Sequence, residues 1–102
     1  MKKLIVAIFA LLIAGCSSMI QKGSISKAYE TFQDQHYDET MKYIARAETV
    51  DELNPEKKAE LTYLKAETYE KMGENEKAKA LYQYLKDQYK DSQYGYLAAK
   101  KL

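Results

Sequence analysis

The side chain in this sequence with the most distinctive chemistry is Cys16, the single thiol among 102 residues. With no second cysteine it can form no intramolecular disulfide, so it is either modified or buried. His36, the only histidine, stands beside Tyr37 near an expected helix end. It has no cysteine or second histidine to share a metal with, and reads as solvent-facing or capping. Ser17 and Ser18 have no base near them in sequence, and glycine-rich phosphate loops are absent. The acidic residues are interleaved with lysine, as in Glu56-Lys57-Lys58, Glu70-Lys71 and Glu74-Asn75-Glu76-Lys77. That pattern describes a solvated helix face, with pairs three or four residues apart contributing a few tenths of a kcal/mol each. No catalytic residue, metal or cofactor is expected, and the chain is not expected to be an enzyme.

The surroundings of Cys16 say what its thiol is for. Met1-Lys2-Lys3 is basic, and Leu4 to Ala14 is an unbroken apolar run ending in small residues. Those are the parts of a secretory signal. The run is shorter than the roughly 20 residues that cross a bilayer core, although an uncleaved membrane helix is the alternative. Leu12-Ile13-Ala14-Gly15-Cys16 resembles the bacterial lipobox, in which a branched aliphatic residue and two small residues precede an invariant cysteine. The resemblance implies a diacylglyceryl group on the Cys16 thiol, cleavage before Cys16 and acylation of the new amino group. Two or three acyl chains anchor a protein far more firmly than one, at about 0.8 kcal/mol per buried CH₂. The alternative is an incidental buried cysteine. The expected organisation is a signal peptide over 1–15, a lipidated tether over 16–24 and a helical domain over 25–102. The resemblance implies a place in the cell envelope. In a cell with two membranes, Ser17 after the cysteine implies the periplasmic face of the outer membrane.

Cleavage would remove Lys2 and Lys3, leaving 14 basic residues against 15 acidic ones, a formal charge of −1. Such a balance supplies no positive field for a phosphate backbone. Nucleic acid is not an expected partner.

The remainder is rich in Ala, Glu, Lys, Gln, Leu and Met, with one proline, a composition that favours helix. Apolar residues at helical spacing predict five helices. The first runs from about Ser26 to Gln35 with Ala28, Tyr29 and Phe32 inward. The second runs from Asp38 to about Val50 and buries Met41, Ile44 and Ala45 or Ala47. Asn54 caps a third with Pro55 at its first position. This helix ends at Met72 before Gly73, with Leu61, Leu64, Thr68 and Met72 along one side and Tyr63, Ala66 and Tyr69 beside it. A fourth covers Asn75 to Tyr89 with Ala78, Leu81, Tyr82 and Leu85 inward, and a fifth runs from Asp91-Ser92 to Leu102. Short connections make neighbours antiparallel.

Tyr37–Ile44 and Asn75–Tyr82 echo one another, with Thr40 aligned on Ala78. The offset between those two positions lies within the range of helix-pair solenoids. The segment from Tyr63, YLKAETYEKMGENEKAKALYQYLKDQY, resembles a tetratricopeptide repeat (TPR). Ala66 and Ala78 match its two small positions, Tyr69 and Tyr82 its aromatic ones, and Gly73 its interhelix turn. Lys65 stands where the family usually has leucine, with Leu64 available one residue earlier. In the earlier unit, Thr31 and Thr40 replace an aromatic residue and an alanine. The resemblance implies an all-α, TPR-like α-solenoid fragment of antiparallel helix pairs, with the fifth helix as a cap. A plain helical bundle would share the composition.

Ten tyrosines are many for so short a chain, and they crowd its second half. Tyrosine combines a large apolar face with a hydroxyl that tolerates water, which suits both half-buried packing and binding surfaces. Repeats of this family bind partners on the side lined by their first helices. Carried onto this chain, that side would present Tyr63, Glu67, Glu70 and Lys71, with Tyr29 and Phe32 from the earlier unit. The expected function is a noncatalytic protein–protein interaction adaptor, anchored to the membrane and engaging another envelope protein. The alternative is a self-associating structural spacer.

Overall fold

The computed structural model describes residues 22–49 and 54–102. Cys16 and the apolar run before it lie outside the described residues. The described part is helix and turn, with no strand: α1 over residues 22–33, α2 over Tyr37–Glu48, α3 over Pro55–Lys71, α4 over Asn75–Gln88 and α5 over Gln93–Lys101. The all-α architecture of packed helix pairs read from the sequence is therefore the fold.

The helix ends follow local chemistry. The Asn54 side chain accepts a hydrogen bond from the Lys57 amide at 2.8 Å, with Pro55 in the first turn. That satisfies one of the four amides a helix start leaves without an intrahelical partner. Ser92 caps α5 in the same manner, accepting from the Tyr94 amide at 3.1 Å. The expected start of α1 at Ser26 is too late. Residues 22–24, assigned by sequence to the tether, are helical, and Ser24 is buried. Gly23 and Ser24 are weak helix formers, so burial has overridden propensity there.

The two helix hairpins have the same turn. Gln35 has φ of 64° and Gly73 has φ of 80°, and these positions are offset along the chain by the same interval as Thr40 and Ala78. At the first turn the Gln35 and His36 amides donate to Phe32 O and Thr31 O, at 3.1 and 2.8 Å. At the second, the Gly73 and Glu74 amides donate to Glu70 O and Tyr69 O, at 3.0 and 2.8 Å. This paired pattern around a left-handed residue closes a helix C-terminus. The residues that follow, His36 and Glu74, have φ, ψ of −92°, 71° and −91°, 67°. The echo in the sequence is thus a repeat of backbone geometry.

α3 lies at the centre. Ala59, Leu61, Leu64, Ala66 and Thr68 are all buried, a set too wide for one stripe, because two faces of α3 are covered. On one side Leu64 joins Ala28 and Ile44, with Phe32, Met41 and Tyr43 against them. On the other, Ala59 and Ala66 join Ala78, Tyr82, Leu85 and Ala98, with Tyr63, Tyr69, Leu81, Tyr89 and Tyr94 packed alongside. Alanine recurs at the helix contacts, at Ala28, Ala47, Ala59, Ala66, Ala78 and Ala98, and small side chains let helix axes approach closely. Leu64 does take the packing role, while Lys65 extends toward Glu48 of α2 at 3.9 Å.

Of the alternatives Ala45 and Ala47, Ala47 is the buried one. The inward assignments of Met41, Met72 and Tyr29 differ from the sequence reading. Met41 is only partly buried, its place being taken by Thr40. Met72 is 37% exposed because α3 has already ended at Lys71. Tyr29, also 37% exposed, lies at the edge of α1, while Ala28 and Thr31 turn inward.

Candidate functional face

α1, α3 and α5 lie side by side and share one face. Along α3 the residues Glu56, Glu60, Tyr63, Glu67 and Glu70 recur at alternating steps of four and three, which keeps them on one helical stripe. α5 runs along this stripe in the same direction as α3. Ser92 Oγ donates to Glu56 Oε1 at 3.3 Å, Tyr94 Oη donates to Glu60 Oε2 at 3.4 Å, and Lys101 Nζ lies 3.7 Å from Glu70 Oε2. Lys57 Nζ also reaches Glu60 Oε2 at 3.5 Å.

Tyrosines fill the spaces between these carboxylates. Tyr63 stands between Tyr82 and Tyr94, with both ring centroids 5.7 Å away. These tilted contacts fall within the favoured range for aromatic pairs. Lys101 sits over the Tyr82 ring at 5.8 Å, a cation–π distance. Tyr29 comes in from α1, where burial first and then the Glu60 carboxylate beside it hold its phenol well above the ordinary range. Burial, Glu67 and Glu70 push the Tyr63 phenol up in the same way, and burial and Glu60 do so for Tyr94. These phenols are all neutral hydrogen-bonding groups at neutral pH.

Two groups on this face lack polar partners. Glu67 is half-buried, and among the described residues no hydrogen bond or ion pair reaches its carboxylate. Burial raises its pKa; Lys101 opposes that shift, Glu70 adds to it and Lys71 opposes it again. Tyr82 is 2% exposed and its hydroxyl has no hydrogen-bond partner of good geometry. Burial, followed by the adjacent Glu70 and Glu67 carboxylates, keeps its phenol protonated. A buried hydroxyl without a partner costs about 1–3 kcal/mol.

Of the six residues expected at a partner surface, Tyr29, Tyr63, Glu67 and Glu70 come together on this face. Lys71 is exposed at the end of α3 and acts on Glu67 through its charge. Phe32 belongs elsewhere: it packs against the Ala28, Ile44 and Leu64 cluster and meets the Tyr37 ring edge-on at 5.8 Å. Sequence reasoning misses Glu60, Tyr94 and Lys101 at the surface, and places Tyr82 only in the core. Glu60 was within reach of the sequence, since it continues the four-and-three spacing through Tyr63, Glu67 and Glu70. The α5 residues were not, because their place depends on where α5 packs.

The face is open and is not a cavity. A hollow of about 420 Å³ adjoins it where Glu70, Tyr82 and Lys101 meet Asn75, Ala78 and Lys79 of α4. The chain matches no family model, no curated protein and no solved structure at a significant level.

Proposed function

We propose that this chain is a noncatalytic adaptor of the bacterial cell envelope. A lipid on Cys16 tethers it to the membrane, and the shared face of α1, α3 and α5 receives another protein. The observation that carries this reading is the row of tyrosines and carboxylates on three helices side by side, with Glu67 left unpaired. Large amphipathic rings beside polar groups are the composition of interaction hot spots. The lipobox resemblance of Leu12–Cys16 supports the tether. Among the described residues no helix is long and apolar enough to cross a membrane.

The anchor is tested by Cys16→Ser, with expected loss of membrane fractionation and accumulation of unprocessed precursor. A variant as membrane-bound and as fully processed as the parent would remove the lipid from the account. The face is tested by placing a photo-crosslinking amino acid at Tyr29 or Tyr63 in living cells. A discrete adduct with another envelope protein is expected there, and none at Lys86 on α4, which is exposed.

The exposed apolar side chains of α5 and of Leu102 at its end favour a second reading, the self-associating spacer. Tyr96, Leu97 and Leu102 are 62%, 36% and 46% exposed. Light scattering of the protein in detergent separates the two, since a stable oligomer lost on Tyr96→Ser would favour the spacer.

A further inference from the structure

α3 and α5 each follow a helix hairpin and pack against it, but only α3 is covered on two sides. Leu64 turns α3 toward Ala28 and Ile44 of the hairpin before it. Ala66, two positions on, and Ala59, five back, join its other side to α4. α4 runs antiparallel there and carries Glu76 in its first turn. In α5, Ala98 holds the place of Leu64, meeting Ala78, Tyr82 and Leu85 of the preceding hairpin. The positions two on and five back from Ala98 are Lys100 and Gln93, and both are exposed. Tyr96 and Leu97 stand between them and are exposed as well. Gln93, Tyr96, Leu97 and Lys100 follow the spacing that keeps residues on one helical face. Among the described residues, the flank that α4 covers on α3 is therefore bare on α5.

We propose that this flank receives an amphipathic helix of another protein, antiparallel to α5, apolar where it meets Tyr96 and Leu97 and acidic in its first turn. The shape of the occupant follows from the fold, since an antiparallel helix is what covers the same flank of α3. Its charge follows from Lys100. That ammonium lies over the Tyr96 ring at 4.5 Å, and among the described residues no carboxylate pairs with it. Lys101, by contrast, is engaged by Glu70. An antiparallel helix brings its N-terminal turn beside Lys100, where carboxylates also suit the positive end of its own dipole. A second copy fits less well, because α5 has no acidic residue to set against Lys100. The inference goes beyond the adaptor reading, since it concerns a second surface that α5 forms by itself.

The test uses the full chain in nanodiscs of zwitterionic lipid, with empty discs as the blank, followed by NMR. The probe is an acetylated synthetic peptide with leucine and alanine on one helical face and glutamates in its first turn. It is expected to shift the Tyr96, Leu97 and Lys100 signals saturably, to become helical on binding, and to bind less well as salt rises. Lys100→Glu, with an unchanged circular dichroism spectrum, is expected to lower affinity about ten-fold. A peptide with lysines in place of the glutamates should restore binding to that variant. Tyr96→Ser is expected to weaken binding, and a central proline in the peptide, which breaks a helix, to abolish it. Equal binding of the glutamate and lysine peptides to the parent overturns the proposal, as does equal binding of the proline peptide or the absence of any saturable shift. Shifts of the same signals caused by discs of anionic lipid without peptide assign the flank to the bilayer and overturn it. An oligomer dispersed by Tyr96→Ser assigns the flank to a second copy, with the same consequence. Failure here leaves the in-cell adducts at Tyr29 and Tyr63, which test the shared face, unaffected.

Discussion

Thr31 and Thr40 illustrate how one residue can be read only with its partner. Separately they look like departures, a hydroxyl where an aromatic ring or an alanine would pack better. In the folded chain their Oγ1 atoms are 2.9 Å apart, and both residues are buried. Thr31 Oγ1 also donates toward Lys27 O and Ala28 O, at 2.8 and 3.0 Å, leaving Thr40 to donate to Thr31 or to His36 O at 3.1 Å. The pair links α1 to α2 with its hydroxyls satisfied. Thr40→Val alone is expected to cost about 1 kcal/mol, as typical of one hydrogen bond. The Thr31→Val and Thr40→Val double mutant should cost less than the two single changes together, measured as a urea-denaturation cycle. Glu67 gives a prediction of opposite character. Its folded pKa is raised by burial, so folding takes up protons between the unfolded and folded values. Stability is therefore lost as pH rises through that window from the ordinary carboxylate range. Glu67→Gln removes the titrating group, so its urea midpoint should gain on the parent's as pH rises from the ordinary carboxylate range.

The hairpin turns make the case for elements. Gln35 and Gly73 occupy the same left-handed position at the ends of α1 and α3, but only glycine does so without steric cost. Glutamine is tolerated in the first turn because the His36 and Gln35 amides both find carbonyls. Gln35→Gly is expected to leave stability unchanged or raise it by a few tenths of a kcal/mol, the relief being offset by the freedom glycine adds to the unfolded chain. Gly73→Ala is expected to lower stability by about 1 kcal/mol, since nothing crowds the new methyl group and only φ resists it. Thermal melts of both variants check this asymmetry. Caps and turns of this kind were legible in the sequence. Asn54-Pro55, Gly73 and Ser92 mark their helix ends through contacts within a few residues. The start of α1 was less legible because Ser24 is helical through burial, which no neighbouring residue announces.

In the whole molecule, α5 completes the candidate face, and one glycine lets it. A Cβ on Gly95 would collide with Tyr89 O and crowd Leu85 O at 3.1 Å. Backbone oxygens cannot move aside as a flexible side chain can. Gly95→Ala is therefore expected to cost about 1–3 kcal/mol, the usual range for overpacking, read from urea denaturation. It should also shift the Tyr94 and Lys101 signals in NMR, because their contacts with Glu60 and Glu70 depend on the seating of α5. The core behind this face is built largely from alanine, so individual contacts bury little area, and close helix approach carries the packing. A displaced α5 would expose Ala98 and part of the Tyr82 ring together.

Helix identity, the turn at Gly73 and the small residues at the helix contacts were determined by the sequence itself. Each follows from spacing along one chain segment, where period, cap and turn act within about a dozen residues. Four of the six expected surface residues could be found in the same manner, three of them because α3 displays them on one stripe. Only the tertiary structure decided that Phe32 is packing, that Tyr94 and Lys101 stand against Glu60 and Glu70, and that Glu67 has no hydrogen-bond or ion-pair partner among the described residues. Those outcomes depend on which side of α3 each neighbouring helix covers. That choice is made by close approach between segments as far apart in sequence as Glu56 and Ser92, a separation over which no local pattern carries information.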